Sequence, residues 1–97
     1  MLRYEVINRL YFLKQLNEFD FKFRSLVFNR ISYLEKEPLK YACVGVESLK
    51  LYTLRIIDKG EDIKIVFKLF GNKVFIVFLF EMELTSNQIR KKYLSIE

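Results

Sequence analysis

Three cations have the spacing that phosphate chemistry needs. Lys64 and Lys68 lie in an alternating segment, Ile63–Phe70, and Arg55 lies in the β-rich segment before it, Leu51–Asp58. Side chains of one parity on paired strands share a face. If Ile63, Ile65, Phe67 and Leu69 face a core, beside Tyr52, Leu54 and Ile56, then Arg55, Lys64 and Lys68 share the opposite, open face. Three cations on adjacent antiparallel strands make a patch that can hold phosphates. The plainer alternative is that an exposed sheet face carries Lys for solubility and edge protection.

Other residues bear on the same chemistry. Arg90, Lys91 and Lys92 form a cluster near the end of a C-terminal helix. They can contact phosphates, or simply complement the helix dipole in its last turn. Tyr52 and Tyr93 offer phenols for base stacking or proton transfer, against the alternative that most Tyr pack in a core. Glu81 and Glu83 look like paired carboxylates, but are expected to mark the solvated end of a strand. Cys43 has no His partner and only Lys40 as a nearby cation, so an incidental thiol is expected.

The absences narrow the chemistry further. The chain has 97 residues and no His, which removes Ser-His and Cys-His nucleophiles and any His acid or base. One Cys excludes an internal disulfide and a CxxC zinc site, and fits a cytoplasmic protein better than a secreted one. No phosphate-cradling Gly loop and no carboxylate cluster of metal spacing is present, so neither metal nor cofactor is expected. The longest apolar run, Val74–Phe80, is far short of a membrane span, and no signal peptide is evident. The net charge of +5 fits a polyanion partner, and equally fits ordinary solubility.

One α+β domain must position these groups. Arg3–Ile7 reads as a short strand or the run-in to a helix. Leu10, Leu13 and Leu16 recur at helical spacing between Asn8 and Glu18. Asp20 is the expected N-cap of a second helix with the stripe Phe23, Val27, Ile31 and Leu34, ended by Pro38. This helical hairpin is expected to pack on the sheet face of Ile63, Ile65, Phe67 and Leu69. Leu39–Ser48, with Gly45, reads mostly as loop. A polar turn, Asp58 to Asp62, joins two strands, and Gly71-Asn72 joins the second to an apolar strand, Lys73–Glu81. Short links make these three an antiparallel meander. Thr85-Ser86-Asn87-Gln88 has capping-box form and opens a short helix with Ile89, Tyr93 and Ile96 on one side.

The element order and several motifs resemble the RelE/ParE toxin superfamily, including its HigB-like and related phage branches. The resemblance spans roughly residues 4–94. Leu51-Tyr52-Thr53-Leu54-Arg55-Ile56 is similar to the family's "lYeLRi" strand, and Ile63-Lys64-Ile65-Val66-Phe67 to its "yRifY" strand. Gly71-Asn72-Lys73 resembles the following hairpin, Val74–Phe80 the apolar strand ending in Phe, and Leu34 to Pro38 the "L.e.P" end of the second helix. The resemblance implies a type II toxin: an mRNA interferase that works at the ribosome, makes the RNA 2′-oxygen attack the adjacent phosphodiester, and is neutralised by a cognate antitoxin protein. It implies catalytic roles for Arg55 and Lys64 by motif; Lys91, Lys92 and Tyr93 in the final helix are the candidates to replace a basic group lost after Phe80, with Tyr93 the expected catalytic one. Lys68, Arg90, Lys91 and Lys92 are then the RNA-binding residues.

The departure lies after Phe80. Where HigB-like members carry a basic pair, this chain has Glu81-Met82-Glu83. Carboxylates there repel a phosphate. The alternative implied is a protein-binding toxin-fold member without chemistry, such as a ParE-type inhibitor of DNA gyrase or a degenerate toxin.

Overall fold

In the computed structural model the described residues are 3–43 and 49–96. Their order is β1 (Glu5–Asn8), α1 (Leu10–Leu16), α2 (Phe21–Ser32), β2 (Ala42–Cys43), β3 (Leu51–Asp58), β4 (Glu61–Phe70), β5 (Lys73–Phe80) and α3 (Ser86–Ile96). The strands form one sheet of order β1-β5-β4-β3-β2. The α+β class, the helical hairpin, the β3–β4–β5 meander and the closing helix match the sequence reading. The ambiguous N-terminal segment resolves as a strand. It runs parallel to β5 and makes the sheet mixed.

Local chemistry explains the element ends. The Asp20 carboxylate accepts from the Phe23 N–H at 2.8 Å and opens α2. The α-helix gives way at Ser32 to a 3-10 turn over Tyr33–Glu35, and Pro38 then begins a second one, Pro38–Lys40. The expected capping box closes in both directions. Thr85 Oγ1 accepts from the Gln88 N–H at 3.1 Å, and the Thr85 N–H donates to Gln88 Oε1 at 2.8 Å. Lys59 and Gly60 both take positive φ, at 50° and 81°, the pairing that a two-residue hairpin of type I′ requires. Only the 3-10 turn and the two-residue β2 interrupt the expected loop at its start. Its Gly45 portion, and the reading of the Cys43 thiol, lie outside the described residues and side chains.

The sheet has two cores. On one face Phe12 and Leu16 of α1 and Phe23, Val27 and Ile31 of α2 bury Leu54, Ile56, Ile63, Ile65, Phe67 and Leu69. That is the expected packing of the hairpin. The opposite face is not simply open. Ile89 and Tyr93 of α3 cover Leu51, Val66, Val77, Phe78 and Phe80 there. A bulge makes this second core possible. Val66 pairs with Phe78 and Phe67 with Ile76, so Val77 is the extra residue on β5. Two successive residues, Val77 and Phe78, then reach the same side. That apolar surface must be covered, and α3 covers it.

Beyond the end of β1, β5 would present an unpaired edge. Gln15 of α1 fills that place. Its amide Nε2 donates to the Leu79 carbonyl at 3.0 Å, and its Oε1 accepts from the Leu79 N–H at 2.8 Å. A side chain thus replaces one strand partner and satisfies both backbone groups.

Candidate functional site

The β3–β4 register sets the site. Arg55 and Lys64 are direct cross-strand partners, and Lys64 in turn faces Phe80 on β5. Both cations are therefore on the expected face. The expected polar turn is shorter than Asp58 to Asp62, because β4 begins at Glu61. Asp62 is thus a strand residue of the same parity as Lys64, diagonal to Arg55.

Consequently the cations are already engaged. The Arg55 guanidinium forks onto Asp62, with Nε to Oδ1 at 2.9 Å and Nη2 to Oδ2 at 2.6 Å. Lys64 Nζ lies 3.1 Å from Glu83 Oε1 and 3.9 Å from Asp62 Oδ2. It also sits 5.7 Å from the centre of the Phe80 ring. The hydrogen bond from Arg55, ahead of its charge and that of Lys64, holds the Asp62 carboxyl below its ordinary pKa, against the opposing effect of burial. The same hydrogen bond raises Arg55 above its ordinary value. The result is a quartet of two cations and two carboxylates: Arg55, Asp62, Lys64 and Glu83.

Lys68 and Tyr93 form a separate pair. Lys68 Nζ donates to the Tyr93 hydroxyl at 2.8 Å, and the ammonium lies 5.2 Å from the ring centre. Four residues of strand separate Lys68 from Lys64, about 13 Å at the usual rise. The structure therefore brings Arg55 and Lys64 together, and places Tyr93 of α3 against Lys68. It divides the cations expected to act as one patch, because the apolar middle of that face, at Val66, draws α3 down.

The remaining candidates fall elsewhere. Tyr52 stacks on Phe67, with ring centres 5.5 Å apart, on the face that packs against the helices. Arg90, Lys91 and Lys92 are exposed. They lie in the middle of α3, which runs on to Ile96 and has no basic residue in its last turn. Dipole complementation at the helix end therefore does not account for them, contrary to the expectation. Lys92 Nζ lies 5.2 Å from the centre of the Tyr11 ring on α1. Glu81 and Glu83 follow the end of β5, as expected, and Glu83 turns back onto Lys64. Among the described residues no group of acidic or Cys side chains could hold a metal ion.

Asp62 and Glu83 are the members that the sequence reading missed as partners. The two-residue spacing Asp62-Ile63-Lys64 was the available signal, once the turn is shortened to Lys59-Gly60.

This helical hairpin on a mixed sheet, closed by a third helix on the other face, is the RelE toxin fold. The likeness is to solved structures. An arginine-to-alanine double variant of the E. coli toxin RelE in the free state aligns with a TM-score of 0.69 at 11% identity, covering 97% of this chain and 93% of that one. The intact E. coli RelBE toxin–antitoxin complex gives 0.68 at 14% identity, over 84% of this chain and 99% of that one. The RelBE2 toxin–antitoxin complex of Mycobacterium tuberculosis gives 0.66 at 14%, over 82% and 99%. At these identities the likeness is one of fold. No family model and no curated protein matches the chain. Among the described residues no helix is long and apolar enough to cross a membrane.

Proposed function

We propose that this chain is the toxin of a type II toxin–antitoxin pair, a ribosome-associated mRNA endoribonuclease restrained by a cognate antitoxin protein. The observation that supports the reading is the quartet of Arg55, Asp62, Lys64 and Glu83 on a RelE fold. Attack by a 2′-oxygen needs cations to hold the phosphate and a base to take the 2′ proton. Arg55 offers a planar fork and Lys64 a point charge, and both can exchange a carboxylate for a phosphate. Glu83 is the base. Its side chain is 87% exposed and touches Lys64, so it reaches a hydroxyl beside the phosphate that Lys64 holds. The 2′ proton passes to Glu83 as the 2′-oxygen bonds to phosphorus. The 5′-oxygen leaves and takes a proton from water. Tyr93 has no part in this step, because its hydroxyl is tied to Lys68 about 13 Å along the strand. The antitoxin partner is proposed from the two solved complexes, in which a RelE-type chain is bound to one.

A second reading has its own observation. Each cation of the quartet is already satisfied within the chain, and the quartet is formally neutral. Such a face suits a protein partner, as in gyrase inhibition, as well as RNA.

Induction in a bacterial host, with messenger mapped by primer extension, separates the two. Growth arrest with ribosome-dependent cuts that disappear in Arg55→Ala/Lys64→Ala supports the nuclease. Arrest with intact messenger supports the protein-binding reading. Normal growth with folded protein present rejects both.

A further inference from the structure

Two cations with no ion pair among the described residues, Lys14 and Lys92, come together where α1 meets α3. There Leu10, Tyr11 and Lys14 of α1 face Lys92, Ser95 and Ile96 of α3 across a groove of about 360 Å³. None of these six residues is acidic. Among the described residues no ion pair engages Lys14 or Lys92. Tyr11 and Lys14 are three apart on α1 and so share one helix face. Tyr11 is 36% exposed, and the Lys92 ammonium stands over its ring at 5.2 Å. Tyr11, Lys14 and Lys92 also line the wider cleft next to this groove, which they share with the carboxylates Glu18 and Glu81.

We infer that this seam is a binding site for single-stranded nucleic acid. One base stacks on the Tyr11 ring in place of the Lys92 ammonium, and Lys14 and the released Lys92 hold the flanking phosphates. Three features select this ligand. An exposed aromatic ring flanked by cations is the combination that single strands use, because every base has a π face and every nucleotide a charge. The groove is small, near the low end for a ligand site, which suits one nucleotide. Neither Lys14 nor Lys92 is held in an ion pair among the described residues, so a phosphate has no bound carboxylate to displace from them, unlike at the quartet. Lys91, exposed and next to Lys92 on α3, extends the charge along the strand. A duplex is disfavoured, since its bases are already stacked on each other.

The site goes beyond the sheet-face reading and does not depend on it. It binds without cutting, so the two can fail separately. The test uses the full chain and fluorescein-labelled 12-mers, oligo-uridine and oligo-thymidine, with a duplex DNA of equal length and anionic phosphatidylglycerol vesicles as competitors. Anisotropy is read across a salt series. Tyr11→Ala should weaken binding roughly tenfold, while Tyr11→Phe stays within about twofold. Lys14→Ala and Lys92→Ala should each flatten the salt slope by about 0.7. Lys73→Ala, at the start of β5, should cause no more than a small loss. A preference for oligo-uridine over oligo-thymidine assigns the site to RNA, and equal binding assigns it to single strands in general. Circular dichroism checks that each variant is folded. The inference is overturned if folded Tyr11→Ala binds like wild type, if Lys73→Ala costs as much as Lys14→Ala, or if vesicles or duplex displace the oligonucleotide better than an unlabelled single strand does. Messenger cleavage that persists through such a failure leaves the quartet standing and removes only the seam.

Discussion

At the β3–β4 end of the sheet the cations meet carboxylates, whereas at the α1–α3 seam Lys14 and Lys92 meet none. Both regions are basic in sequence and both are exposed. The difference lies in what a phosphate must displace. At the quartet it must displace Asp62 and Glu83, so binding there is weak in the ground state. It becomes useful where charge develops and a base is needed beside it. At the seam Lys14 and Lys92 hold no carboxylate in an ion pair among the described residues, and an aromatic ring adds stacking. One region suits chemistry and the other suits grip. A net charge of +5 does not distinguish them; the ion pairs that Asp62 and Glu83 make with Arg55 and Lys64 do.

The comparison can be broken at several points, from the largest effect to the smallest. Replacing Arg55 and Lys64 together by Ala removes the groups that hold the phosphate. Ribosome-dependent messenger cleavage is expected to fall by at least about 10²–10³, read by primer extension. A smaller loss would mean that the phosphate is held elsewhere. Gln15→Ala tests the link between the regions, since Gln15 sits on the helix of Tyr11 and Lys14 and clamps Leu79 near the end of β5. It leaves an N–H and a carbonyl without partners, at a cost of about 2 kcal/mol. Thermal unfolding should then begin roughly 10 °C lower. Tyr93→Phe removes the acceptor for Lys68 and keeps the ring over the second core. The expected loss is about 1 kcal/mol by urea unfolding, with messenger cleavage unchanged. If cleavage is lost instead, the phenol belongs to the chemistry after all.

The smallest effect is that of pH on the fork. The Asp62 carboxyl titrates below its ordinary value of 3.8, chiefly through its hydrogen bond from Arg55. Since the folded value is the depressed one, the pairing stabilises the chain above the ordinary Asp range. That contribution is lost as pH falls through the lower, folded value. A carboxyl-carbon NMR titration should place the Asp62 inflection below 3.8, and Arg55→Ala should move it upward. An unmoved inflection would mean that the fork is not formed in solution.

Much of this architecture was legible because local chemistry decided it. The Asp20 cap, the Thr85–Gln88 box and the Gly71 turn each act over a few residues, and the alternation in β4 orients one core directly. Two features that depend on register were not legible. The turn between β3 and β4 contains only Lys59 and Gly60, and Lys59 takes a φ that non-Gly residues rarely adopt. A longer turn was therefore the natural reading, and it hid Asp62 from Arg55. The second feature is the bulge at Val77, which sets two successive side chains on one face. It builds the small core that draws α3 over Val66 and separates Tyr93 from Arg55. Tyr11 gave no sign of its own, because its partner Lys92 lies on another helix and only packing brings them together.

The most direct test is Glu83→Gln in a purified translation reaction, with messenger cleavage followed in time. The amide keeps the size of the side chain and its contact with Lys64, but it cannot accept the 2′ proton. Wild type is expected to cut, and Glu83→Gln to cut at least about 10²-fold more slowly. Equal cutting by the two proteins, or none by wild type, would contradict the assignment of this carboxylate–cation quartet as a nuclease site.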